Sequence, residues 1–72
     1  MIKNDNYEIN IIEEFIHLIN YKLIKNISTS RIEILIKEKK LIIKGCNLII
    51  NSLDEYEMII KGDIKGLEFI NE

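Results

Sequence analysis

Few residues of this chain could do chemistry, and their spacing limits how far each can be taken. His17 is the only histidine, and an imidazole acts as a general base only when it reaches the proton of a positioned nucleophile. Neither Ser nor Cys stands near it in a recognisable nucleophile context, so it reads as a surface or partly buried side chain. Cys46, the only cysteine, follows Lys44 and Gly45. An adjacent cation can lower a thiol pKa, yet free cysteine is among the most buried residue types, and a small hydrophobe at a strand start is expected. Carboxylates gather at Glu13-Glu14 and at Asp54, Glu55 and Glu57. A hydrolase needs two such groups facing a substrate in a cleft, with pKa values pushed apart by burial. Here they fall in expected turns, where solvation keeps them ordinary, although the acidic loop could meet a basic partner surface. One His and one Cys cannot complete a four-ligand zinc site, and none of Gly45, Gly62 and Gly66 sits between a strand and a helix start, where backbone amides cradle phosphate. No catalytic, cofactor-binding or metal residue is assigned, and the chain is expected not to be an enzyme.

The elements that would position these groups are clearest from Leu41 to Phe69. Apolar residues recur there at every second position, with glycine at two matching points, which describes short strands and not helices. Ile42-Ile43-Lys44 before Gly45 recurs as Ile59-Ile60-Lys61 before Gly62, so one strand-to-turn unit appears twice. Gly45 and Gly62 are accordingly expected to be structural turn glycines, with Gly45 and Asn47 supplying a permissive backbone for a reversal. Upstream, Ile32, Ile34 and Ile36 alternate with Arg31, Glu33, Leu35 and Lys37, and a turn is expected through Glu38-Lys39. Isoleucine fills nineteen positions, while valine, alanine, proline, glutamine and tryptophan are absent. That β-branched load favours strand over helix. From Ile11 to Ile27 the residues Ile12, Phe15, Ile16, Ile19, Leu23 and Ile27 fit a helix, while Phe15, His17, Ile19, Tyr21 and Leu23 fit a strand face, and periodicity supports both.

The fold class expected is all-β, a single small antiparallel meander closing into a sandwich or barrel-like domain, with residues 1–6 disordered or loosely attached and residues 7–72 forming the domain. Leu35, Ile42, Ile49, Ile59 and Ile70 fall on the phase opposite to the inner set, where a half-solvated sheet would be polar. They are the candidate interaction face. A chain of 72 residues buries only about 60% of the surface its unfolded form exposes, and without a disulfide or metal it is expected to gain stability from self-association or a partner.

Composition narrows the partners. A formal net charge of −2, with both signs interleaved, argues against general nucleic-acid binding, which calls for a basic stripe. Lys37, Lys39 and Lys40 read as a solvated hairpin tip. No apolar run exceeds three residues, so no transmembrane segment is expected. Met1 to Asn6 lacks the apolar core of a signal peptide, and the single cysteine suits a reducing compartment; a cytoplasmic location is expected.

The residues Leu41, Ile43, Gly45, Asn47, Leu48, Ile50, Leu53, Ile60, Gly62, Ile64, Leu67 and Phe69 resemble the YabP/YqfC-like sporulation proteins of endospore-forming bacteria, closer to the YqfC branch. The resemblance continues upstream through Arg31, Ile32 and Ile34 into the Phe15 to Lys25 segment, where the family has two strands around an Asn-containing turn, here Asn20-Tyr21. It thereby selects strands for Ile9 to Lys25. It implies a non-enzymatic sporulation protein of the mother cell, without cofactor, assembling with itself or with a membrane protein and peripheral at the outer forespore membrane. The alternative from size alone is an RNA-binding β-barrel similar to Sm-like proteins. That reading needs basic and aromatic residues on one face, and only Tyr7, Tyr21, Tyr56, Phe15 and Phe69 are at hand.

Overall fold

Two long strands organise the computed structural model, which describes residues 6–71. There are six strands: β1 (Glu8–Ile12), β2 (Phe15–Ile19), β3 (Leu23–Ile27), β4 (Arg31–Ile36), β5 (Lys39–Leu53) and β6 (Glu57–Asn71). All pairings are antiparallel, and they form one sheet in the order β1-β2-β6-β5-β4-β3. The alternating isoleucines therefore make strands throughout, including the segment whose period fitted a helix. For the expectation of a loosely attached terminus, residues 1–5 lie outside the described residues; the carbonyl of Asn6 accepts a hydrogen bond from Asn20 Nδ2 at 2.5 Å.

β5 and β6 each run for 15 residues, and their two ends serve different neighbours. The first part of β5, Lys39 to Lys44, pairs with β4, whereas the first part of β6, Glu57 to Lys61, pairs with β2. Between them the β5–β6 ladder shifts register at Lys44/Gly45, at Cys46/Ile49 and at Ile50/Ser52. Bulges of this kind bend strands and sharpen their twist. The sheet consequently folds over on itself into two halves. The first contains β1, β2, the start of β6 and the end of β5; the second contains β3, β4, the start of β5 and the end of β6. The inner faces meet in one cluster, where Ile16, Leu18, Met58 and Ile60 of the first half pack with Ile32, Ile34, Ile36, Leu41 and Ile43 of the second, and Leu48 sits at the bend. A thickness of 17 Å along the shortest axis suits two layers spaced by about 10 Å. β1 and β3 do not pair with each other, so the sandwich stays open at its edges.

Two expectations about turns change. Gly45 and Gly62 lie inside β5 and β6 and not in turns. They mark the bend, so the repeated Ile-Ile-Lys-Gly unit occurs once on each strand of the folded hairpin. A Cβ on Gly62, whose φ is +151°, would stand 2.9 Å from the Asn47 carbonyl oxygen and 2.9 Å from Leu48 Cδ2. The second change concerns Asn20-Tyr21. This segment is no hairpin turn, because β2 and β3 do not pair; it carries the chain from one half to the other. Asn20 takes φ +63°, its N–H donates to the Tyr56 carbonyl at 2.7 Å, and the N–H of Lys22 donates to the Leu35 carbonyl at 2.8 Å. This one connection departs from a simple meander.

The true hairpin turns are short. Glu13-Glu14 and Lys37-Glu38 each join strands directly, with Glu13 at φ +53° and Lys37 at φ +54°. Asp54 shapes the β5–β6 turn: its Oδ1 accepts from the N–H groups of Tyr56 and Glu57, both at 2.9 Å. Ser28 does the same between β3 and β4, where its Oγ accepts from the N–H of Arg31 at 3.0 Å. Such side-chain caps satisfy backbone donors that the reversal leaves unpaired.

Candidate interaction surface

The outward side chains follow from strand pairing. On the first half, Phe15, His17 and Ile19 of β2 point away from the core formed by Ile16 and Leu18, and Lys61, Ile59 and Glu57 of β6 stand opposite them. The register extends one row to Ile12 of β1, Phe15, Lys61 and Ile49 of β5. Ile12 is 63% exposed and Ile49 52% exposed, with Lys61 Nζ 5.6 Å from the centre of the Phe15 ring. The next row holds Asn10, His17, Ile59 and Ser52. Here His17 Nε2 lies 2.8 Å from Glu57 Oε1.

The outer face of the second half is patterned differently. One row runs Leu23, Leu35, Lys40, Ile70, and the next runs Asn26, Glu33, Ile42, Glu68. Arg31 Nε donates to Glu33 Oε2 at 2.8 Å, Lys40 Nζ reaches Glu33 Oε1 at 3.4 Å, and Lys44 Nζ reaches Glu68 Oε1 at 3.3 Å. The Arg31 guanidinium, with Lys40 beside it, holds the Glu33 carboxyl below its ordinary pKa. Ile42 lies in the middle of these ion pairs and is fully buried. The aliphatic stems of its charged neighbours provide the cover, since such side chains keep their heads in water while their stems lie on apolar surface.

The five residues expected to share an interaction face are thus divided. Ile49 and Ile59 lie on the outside of the first half, Leu35 and Ile70 on the outside of the second, and Ile42 offers no surface because it is already covered. Alternation within a strand identifies the outward phase; it does not reveal that a 15-residue strand crosses a bend and contributes to two opposite surfaces. Ile12 and Phe15 were missed as members of the first-half patch. Their signal was the two-residue turn at Glu13-Glu14, which places them directly opposite one another.

The reactive candidates fall elsewhere. Cys46 is exposed, not buried as its residue type suggested. It pairs across the ladder with Asp63, whose carboxylate lies 2.9 Å from Lys65 Nζ, and that bond raises the lysine's pKa. The carboxylates of Glu13, Glu14, Asp54, Glu55 and Glu57 are all at exposed positions. Glu57 is the partner of His17, and Asp54 caps the β5–β6 turn, its pKa lowered by the N–H groups of Tyr56 and Glu57. No group of three or more potential metal ligands occurs among the described residues, and these residues include no helix long and apolar enough to cross a membrane. The aromatic rings do not share one face either: Phe15 points outward on the first half, whereas Tyr7 and Phe69 pair at 6.5 Å against the second. Searches against protein-family models, curated proteins and solved structures give no match to the chain.

Proposed function

We propose that this chain is a non-enzymatic interaction domain of spore formation, of the YabP/YqfC type, made in the mother cell. It assembles with a copy of itself or with a membrane protein, and through that contact it sits at the outer forespore membrane. The observation that carries the interaction role is the row Ile12, Phe15, Lys61, Ile49, with Ile59 beside it. Here half-exposed apolar side chains stand on paired strands, where folding has already fixed them and binding costs little further ordering. The sporulation assignment draws on the spacing of apolar residues and glycines from Leu41 to Phe69.

The experiment is the heat-resistant spore titre of a strain lacking this gene, set against its vegetative growth. Fewer spores with normal growth is the expected result. Normal sporulation, in a strain shown to carry no second copy of the gene, overturns the assignment.

A further inference from the structure

The fold sorts charges that the sequence interleaves. Among the described residues, the first half with its two turns carries six carboxylates against Lys61 alone, a net −5. The second half, with Lys22 at the entry to β3, carries seven Lys and Arg residues against Glu33, Glu38 and Glu68, a net +4; Asp63 and Lys65 cancel as an ion pair near the bend. Ion pairing leaves this excess in place. Arg31 and Lys40 share Glu33, Lys44 meets Glu68, and Lys22, Lys37 and Lys39 have no carboxylate partner among the described residues. These three lysines gather at one row of the outer face. Leu23, Leu35, Lys40 and Ile70 form the row, with Leu23 46% and Ile70 39% exposed. Lys22 is held beside it by the bond from its N–H to the Leu35 carbonyl at 2.8 Å, and Lys37 and Lys39 flank Glu38 where β4 turns into β5.

An apolar row edged by lysines selects its occupant by chemistry. Half-exposed leucine and isoleucine gain from the headgroup boundary of a bilayer, where lysine side chains meet anionic lipid. They gain nothing from a polyphosphate backbone, and single-stranded nucleic acid calls for free aromatic faces. Phe69, next to Ile70, already pairs with Tyr7 and has Lys39 Nζ over its ring at 5.8 Å. The acidic layer does not cancel the attraction. Packed sheets lie about 10 Å apart, more than the Debye length of about 8 Å at physiological ionic strength, so a surface against the second half meets its lysines and little of the carboxylates behind them. We propose that the outer face of the second half binds directly to an anionic lipid surface, with Leu23 and Ile70 at the headgroup boundary and the first half turned to the aqueous side. The contact goes beyond the partner role proposed above, which uses the opposite layer, and does not depend on it. Each basic residue near such a surface strengthens binding about fivefold, so a net +4 gives an association constant of about 10³ M⁻¹ and half-binding at about millimolar lipid.

Co-sedimentation of the full chain with vesicles containing phosphatidylglycerol, set against vesicles of phosphatidylcholine alone, tests this. The expected result is binding to the anionic vesicles only, lost at about 1 M salt, where the Debye length falls to about 3 Å. Lys22→Gln with Lys37→Gln takes two charges from the second half and should weaken binding about 25-fold. Asn10→Asp with Asn51→Asp changes the net charge equally, but on the first half, and should leave binding nearly unchanged. Lys39→Gln replaces either lysine variant if circular dichroism shows lost strand. No binding up to about 10 mM anionic lipid, equal binding to the uncharged vesicles, or an equal loss in both double variants overturns the proposal. Retention of polyuridine at a salt where the anionic vesicles leave the chain in solution overturns it as well, since the face would then read polyphosphate. A chain that ignores vesicles yet is needed for spores defeats the lipid contact alone; one that binds them and is dispensable for spores defeats the sporulation reading alone.

Discussion

Gly45 of β5 and Asp63 of β6 cross at the bend so closely that a Cβ on Gly45 would collide with the Asp63 carbonyl oxygen. Backbone on backbone cannot yield as a flexible side chain can. Valine at Gly45 should therefore cost about 1–3 kcal/mol or more, and valine at Gly62 a similar amount, through its positive φ and its contacts with Asn47 and Leu48. At Gly66 nothing lies within 4 Å of an added Cβ, so Gly66→Ala should be neutral or slightly stabilising. Urea unfolding of the three variants checks the contrast, and equal midpoints for Gly45→Val and wild type would contradict it.

Ile42 and Ile49 make a second pair of opposites. They lie on one strand and in one apolar pattern, but the first is fully buried and the second is 52% exposed. Ile42→Ala should lose about 2–4 kcal/mol. Ile49→Ser should stay within about 0.5–1 kcal/mol of wild type when measured at concentrations where the chain is monomeric. Chemical denaturation of both variants reads the difference.

That pair also marks the border of what the sequence made legible. Alternation at Ile32, Ile34 and Ile36, and again at Leu41 and Ile43, predicts the inner face correctly because strand periodicity is local. The inward phase was legible beyond the bend as well, at Leu48, Met58 and Ile60 with Ile50 and Ile64 packed against them; what was not legible was the division into halves, since the same residue type alternates with the same period on both sides of the bend, and only the long-range register of β2 with β6 assigns each half its neighbours. The β2–β3 crossover was hidden for a related reason. Asn20 takes a left-handed φ equally well in a hairpin or in a crossing, so residue type could not tell which. For the surface, charge was visible at Glu33, Lys40, Lys44 and Glu68, but not its effect of roofing Ile42.

Acid should loosen the β5–β6 turn only late, below about pH 4. The carboxyl of Asp54 has a lowered pKa because its charged form accepts two backbone N–H bonds. A depressed folded-state pKa contributes stability that is fully present above the unfolded value, about 3.9, and is lost as pH falls through the lower folded value. Asp54→Asn should flatten this part of the acid-unfolding curve below about pH 4 while lowering stability at neutral pH. If wild type and variant lose stability in parallel over that range, the turn carboxylate does not contribute.

Lys37 holds φ +54° at an exposed turn position, a conformation that costs a side-chain-bearing residue about 1 kcal/mol. Lys37→Gly should raise stability by up to about 1 kcal/mol, less what the freer unfolded chain gives back. Thermal unfolding with both proteins in the same buffer measures the sign.

The exposure of Cys46 makes a direct chemical forecast. A thiol reagent should modify one sulfhydryl per chain in native buffer, without the delay that unfolding would impose. Protection of that thiol until denaturant is added would place Cys46 under cover.

Because β5 and β6 belong to both layers, neither layer can come apart while the other stays whole. Phe15 meets Lys61 across a gap of most of the chain, so β2 has no template until the long hairpin has formed and bent. The molecule should therefore melt as one cooperative unit, its slowest amides sharing a single opening free energy across both layers. Its refolding rate should be that of a domain whose decisive pairings are distant in sequence.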